Sequence, residues 1–197
     1  MASVRLADYR PAPFLIDHTQ LQVRLYADHT LVEAALQLQP TPAGEAGPLL
    51  LRGEQLELLQ LQIDGQPVAD SDYRLEPGAL VLLQPPRRPF RLDTLVRLHP
   101  ETNTSLEGLY VSGGLFTTQC EAEGFRRITF HPDRPDLLSR FRVRIEADWT
   151  RCPVLLSNGN CVDTGLLPPE PNAAGADPTP RHYAVWDDPF PKPSYLF

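Results

Sequence analysis

Phe141-Arg142-Val143-Arg144-Ile145-Glu146-Ala147-Asp148-Trp149 alternates apolar and charged residues without a break. Successive side chains of a pleated strand point to opposite faces, so Phe141, Val143, Ile145 and Trp149 share one face and the charges occupy the other. The same period of two places Leu21, Val23 and Leu25 together. It resumes after the turn residues Ala27-Asp28-His29 with Val32, Ala34, Leu36 and Leu38, so residues 19–39 read as a long hairpin. Leu59, Leu61 and Ile63 form another strand, ended by the turn dipeptide Asp64-Gly65. Apolar runs at 80–83 and 92–98 add two more. In Val154-Leu155-Leu156-Ser157-Asn158-Gly159-Asn160-Cys161-Val162, Asn-Gly is the preferred pair for a type I′ hairpin. Its register sets Cys161 opposite Leu156 and Cys152 opposite Gly165. The cysteines are then not cross-strand partners, and buried free thiols are expected. Asp136 can cap one short helical turn over 137–140. The 22 prolines, about twice ordinary usage, also disfavour long helices. An antiparallel all-β domain with very little helix follows, and residues 1–197 read as a single domain. Two Pro-rich stretches, 40–48 and 166–181, read as loops within it.

Composition narrows the function. The 197 residues hold 18 Lys+Arg against 25 Asp+Glu, a formal net charge of −7. Duplex nucleic acid is a poor partner for such a chain, because few cations are free to displace counterions from phosphates. Residues 126–151 carry seven Arg and four Asp or Glu, yet Arg142 and Arg144 read as the wet face of the alternating strand. No apolar run approaches the roughly 20 residues that cross a bilayer, and Met1-Ala2-Ser3-Val4-Arg5 lacks the apolar stretch of a secretory signal. Three cysteines are too few for a disulfide scaffold. A soluble cytoplasmic protein, bound to neither nucleic acid nor membrane, is expected.

Enzyme signatures are largely missing. The five histidines (His18, His29, His99, His131, His182) are scattered, and none pair as His-Glu-x-x-His, the spacing that turns two imidazoles toward one zinc ion. No Cys-x-x-Cys, P-loop or Gly-x-Gly-x-x-Gly occurs, and Gly113-Gly114 reads as a turn. No metal ligands are assigned in this chain. The stretch that breaks the alternation is Thr117-Thr118-Gln119-Cys120-Glu121-Ala122-Glu123-Gly124-Phe125-Arg126-Arg127-Ile128-Thr129-Phe130, dense in polar groups. Glu121 and Glu123 read either as solvated loop carboxylates or as groups of which one is held ready for a cation.

That stretch follows Asn103-Thr104-Ser105-Leu106-Glu107-Gly108-Leu109-Tyr110 and precedes Asp133-Arg134-Pro135-Asp136. With these, with Tyr9-Arg10-Pro11, Leu155-Leu156-Ser157-Asn158-Gly159-Asn160 and the terminal Trp186-Asp187-Asp188-Pro189-Phe190-Pro191-Lys192-Pro193-Ser194-Tyr195-Leu196-Phe197, the chain closely resembles the N-terminal domain of M1 zinc metallopeptidases. The branch is that of the bacterial alanyl aminopeptidases (aminopeptidase N). The resemblance runs in register from about Tyr9 to Phe197. It implies a saddle-like β-sandwich that docks on a thermolysin-like catalytic domain, in an enzyme that removes N-terminal residues from peptides. It implies that Glu121 helps bind the free α-amino group of the peptide and that Gln119 lines the same pocket. An internal peptide has no cation to pair with that carboxylate, so exopeptidase specificity would follow. The Gly-x-Met-Glu-Asn segment, the His-Glu-x-x-His helix and the distal glutamate of the family are absent. Zinc therefore belongs to a full-length enzyme, and this chain alone is expected to be inactive. Two departures stand out. At His131-Pro132 the family carries an aromatic and Leu, and Pro ends backbone pairing there. The 166–181 stretch is also longer than the family's.

Two other readings stay open on the residues alone. One is a free-standing β-sandwich module that binds protein or carbohydrate. The other is a self-contained hydrolase using Glu121 and Glu123 as an acid–base pair, for which nothing else completes a site.

Overall fold

The computed structural model describes residues 5–42, 47–168 and 180–197. The centres of both loop stretches read from the sequence, 43–46 and 169–179, lie outside the described residues. Thirteen strands appear in chain order: β1 Phe14–Leu25, β2 Thr30–Pro40, β3 Leu49–Arg52, β4 Glu57–Ile63, β5 Gln66–Pro67, β6 Tyr73–Glu76, β7 Ala79–Leu82, β8 Phe90–Leu98, β9 Gly108–Ser112, β10 Leu115–Gln119, β11 Ser139–Asp148, β12 Asn160–Leu167 and β13 Arg181–Lys192. Helix among the described residues is confined to five 3-10 turns, none longer than four residues. None is long and apolar enough to cross a membrane.

Eight strands form one sheet in the order β12-β13-β11-β1-β2-β8-β4-β5. β3-β7-β6 form a second sheet and β9-β10 a hairpin. Alternation builds the layers. Leu21, Val23, Val32, Ala34, Leu36, Leu92, Val96, Phe141 and Val143 turn one face of the large sheet into a single apolar cluster, which Leu49, Leu51, Leu80 and Leu82 of the small sheet join from the other side. The opposite face of the large sheet is polar. It forms an open saddle of about 570 Å³ lined by Gln22, Glu33, Gln62, Arg91, Asp93 and Arg144.

Pairing is antiparallel throughout except between β1 and β11, which run parallel from His18↔Arg140 to Arg24↔Glu146. A parallel pair needs a crossover, supplied here by everything between the two strands. Alternation reports which face a residue takes and is blind to strand direction. The β1–β2 hairpin forms as expected, with Leu25 opposite Thr30. Asp64 and Gly65, at φ 49° and 77°, make the left-handed turn between Ile63 and Gln66. Gly113 and Gly114 do the same between β9 and β10.

Several local expectations are corrected. The register of β4 against β8 shifts between Leu58 and Gln60, which turns Leu59 outward while Leu58 packs on the core. Trp149 lies beyond the end of β11 and is exposed, with its ring 4.4 Å from that of His182. On the other face, Glu146 is buried and accepts from Gln22 and Arg144. No helical turn follows Asp136, whose carboxylate pairs with Arg134 and accepts from Tyr9. The hairpin read at Asn158-Gly159 does not form. β12 pairs only with β13; Leu155 tucks toward the core, its carbonyl accepting from Trp186 Nε1 at 3.2 Å, and Asn158 Nδ2 donates to the Leu196 carbonyl. Gly159 is held against β13 instead, where an added Cβ would sit 2.3 Å from the Asp187 carbonyl oxygen. The cysteines are free as expected, but only Cys120 is buried; Cys161 is exposed.

Candidate functional site

The loop after β10 carries both residues assigned from the resemblance. Gln119 closes the β9–β10 hairpin opposite Gly108. Cys120 then turns inward, while Glu121, Ala122 and Glu123 remain exposed. Gly124 begins a 3-10 turn whose backbone lies flat on the hairpin: a Cβ there would fall 2.2 Å from the Gln119 carbonyl oxygen and 2.9 Å from the Gly108 nitrogen. The Gly124 N–H donates to the Cys120 carbonyl at 2.9 Å, closing the loop on itself.

Beneath the exposed residues the loop is anchored. Phe125 is fully buried, meeting the rings of His131, Phe141 and Phe197 at 4.9, 5.9 and 5.2 Å. Phe130 packs on Gly53, and His131 exchanges two backbone hydrogen bonds with Arg52. The pairing ends there, at the residue before Pro132. The His131 ring is buried; its Nδ1 accepts the Asp133 N–H at 3.1 Å, and burial pushes its pKa down to about 4, against the pull of Asp133. Burial and the neighbouring Asp133 charge push the Cys120 thiol up to about 12, so it stays protonated.

Charge is distributed unevenly over the loop. Arg126 donates to Glu123 at 3.0 Å and to Asp133 at 2.7 Å. Burial works against its charge, but the hydrogen bond and charge of Asp133, with Glu123 and Glu54 beside it, outweigh that and raise its pKa. Arg127 pairs with Glu54 and Glu107. Every loop carboxylate but one is thereby matched. Among the described residues Glu121 has no ion-pair partner, and its backbone carbonyl accepts a long hydrogen bond of 3.4 Å from Gln119 Nε2.

Next to the hairpin runs an apolar groove of about 560 Å³, lined by Leu115, Phe116, Leu155, Leu156 and Phe197 among others. Leu115, Val154 and Leu156 along it are largely exposed. The structure thus places Gln119 and Glu121 side by side on one exposed, braced loop. It separates Glu121 from Glu123, which Arg126 occupies. Sequence reasoning assigned no role to Arg126, Asp133 or Ser194. All three lie in motifs that carry the resemblance (117–130, 133–136 and 186–197), which assign them no role. Among the described residues no three His, Cys, Asp or Glu side chains are grouped as metal ligands.

These features define a class: a two-layer β domain with an unmatched carboxylate on the loop after a hairpin and an apolar groove along that hairpin. The chain belongs to the peptidase M1 N-terminal domain family, whose model matches residues 17–196. Aminopeptidase N of Caulobacter vibrioides is 50% identical over 195 residues, covering 99% of this chain and 21% of that protein. Aminopeptidase N of Escherichia coli K12 is 44% identical over 190 residues, covering 96% of this chain and 20% of that protein. The chain therefore spans about one fifth of the length of these curated relatives. Among solved structures, Legionella pneumophila aminopeptidase A in complex with aspartic acid superposes with a TM-score of 0.85 at 31% identity, over 98% of this chain and 22% of that one. A Deinococcus radiodurans M1 zinc metallopeptidase variant shares the fold at a TM-score of 0.72 and 16% identity, over 93% of this chain and 41% of that one.

Proposed function

We propose that this chain is the single N-terminal β domain of a cytoplasmic zinc aminopeptidase of alanyl type. In this reading Glu121 receives the free α-ammonium group of the peptide and Gln119 lines the same pocket. The apolar groove along the β9–β10 hairpin docks on the catalytic domain of the same polypeptide. One observation carries the reading: in a loop whose other carboxylates are matched by arginine, Glu121 is exposed and has no cation of its own among the described residues. A carboxylate already paired would have to give up a partner before accepting substrate; Glu121 does not. Once covered by a second domain, an ammonium–carboxylate hydrogen bond gains strength from the loss of competing water.

The zinc that activates water in such an enzyme is held by residues outside those described here, and the role given to Glu121 needs no metal of its own. The aspartic acid bound to the Legionella relative is consistent with a pocket that accepts a free amino acid. In the full-length enzyme, Glu121→Gln is expected to raise KM and lower kcat/KM for peptides with a free N-terminus. Breaking one partner of a desolvated charge pair commonly costs about 2–5 kcal/mol. Steady-state kinetics unchanged from wild type would remove the assignment.

A further inference from the structure

Asp133 is the most enclosed carboxylate around this loop: its side chain is 2% exposed and its backbone adopts φ 48°. Three elements converge on it. Arg126 Nε donates to Oδ2 at 2.7 Å, Ser194 Oγ donates to Oδ1 at 2.7 Å, and its own N–H donates to His131 Nδ1. Arg126 follows Phe125 in the turn that lies on Gln119, and the same guanidinium holds Glu123. Ser194 starts the C-terminal turn Ser194–Leu196, after which Phe197 packs on Phe125 and Phe141. One buried carboxylate therefore ties the loop bearing Glu121 to the C-terminal segment. With its side chain 2% exposed and each oxygen already accepting a hydrogen bond, it does not itself meet a substrate.

We propose that Asp133 is a positioning residue for the amine-binding loop: through Arg126 and Ser194 it fixes where Glu121 and Gln119 stand relative to the C-terminal segment. The inference rests on the role given above to Glu121. Its consequence is specific. Loosening the Asp133 clamp disperses the Glu121 carboxylate over several positions, which weakens capture of the ammonium group and leaves bond cleavage in bound substrate largely intact. A simple loss of folded protein does the reverse, lowering apparent kcat and leaving KM unchanged.

The test is a double-mutant cycle in the full-length enzyme with an alanine anilide substrate, comparing Asp133→Asn, Glu121→Gln and the double variant. Asn keeps the shape and tolerates the left-handed backbone but lacks the charge. Asp133→Asn alone is expected to raise KM on the order of tenfold, with kcat within about twofold, and to add little in the Glu121→Gln background. Effects that add independently, or a fall in kcat at constant KM, overturn the proposal. If Glu121→Gln itself changes nothing, the underlying functional reading fails instead. Should Asp133→Asn not fold, because the part-buried Arg126 guanidinium loses its shortest ionic contact, Ser194→Ala takes its place in the cycle. The expected result is a smaller KM rise of the same kind, again lost in the Glu121→Gln background; additivity there overturns the proposal equally.

Discussion

Glu121 and Glu123 sit two positions apart in one loop and share the same charge and exposure, yet Arg126 claims only the second. No sequence pattern forecasts that choice. It depends on Asp133, brought alongside by the chain's return to Arg52 at His131. Gln119 and Glu121 are candidates through the resemblance alone, and their exposure follows from the break in alternation. The buried bracing was not legible in the sequence, because ion pairs between distant loops are set by packing rather than spacing. His131 illustrates this: as a lone histidine it carries no message, but in the fold it is sealed and neutral. Its pKa of about 4 against an ordinary 6.5 means that, between those values, the unfolded chain binds a proton the folded chain refuses. Stability from this group is therefore complete above about pH 6.5 and withdrawn as pH falls toward 4, by an amount on the order of 3 kcal/mol. His131→Asn places an amide oxygen where Nδ1 accepts the Asp133 N–H. Urea midpoints measured from pH 7 to 4.5 are expected to fall more gently for that variant than for wild type. Parallel curves would mean that His131 protonates in the folded state.

At the scale of elements, alternation was enough to locate β1, β2, β7, β8 and β11 and to name most of their buried faces. It failed where side-chain pattern and backbone partner part company. Leu59 kept the period of two but lost the core to a bulge, and the Asn158-Gly159 pair had its turn chemistry without a partner strand, since Leu155 bonds to Trp186 and Asn158 to the C-terminal turn instead. The site hairpin depends on a contact of the same hidden kind. Gly124 is required because its α-carbon rests on the backbone of β9 and β10, and that is invisible until the loop is folded. Gly124→Ala forces the loop off the Gln119 carbonyl, at a cost of about 1–3 kcal/mol as for other overpacked positions. In the full-length enzyme it should also raise KM, because Gln119 and Glu121 move with the loop. Gly113→Ala is the control. Its Cβ meets nothing within 4 Å, so only the penalty of a left-handed backbone at φ 57° applies. Thermal melts and kinetics of the two variants should therefore diverge, with KM shifted only for Gly124→Ala. Equal KM values would mean that the turn does not set the position of the loop.

For the molecule as a whole, the decisive quantity is how much water reaches Glu121. In the isolated chain the carboxylate is exposed, so any ammonium ligand competes with bulk solvent and dissolved salt, and an exposed ion pair contributes little. The apolar groove along the β9–β10 hairpin is open on the same terms, with Leu115 and Leu156 uncovered. Burying that groove under a second domain of the same polypeptide would do two things at once: hold the domains together through apolar contact and exclude water from around the carboxylate. On the proposed reading, substrate capture is a property of the assembled enzyme, even though the carboxylate belongs to this chain. The purified 197-residue chain is expected to hydrolyse no alanine anilide, to retain no stoichiometric zinc after dialysis, and to show no saturable binding of alaninamide below millimolar concentration when followed by NMR. The full-length enzyme is expected to hydrolyse the anilide, to retain zinc and to bind alaninamide saturably. Submillimolar alaninamide binding by the isolated chain that disappears in Glu121→Gln would show that the loop needs no cover. Hydrolysis by the isolated chain would show that the chemistry itself resides within these residues.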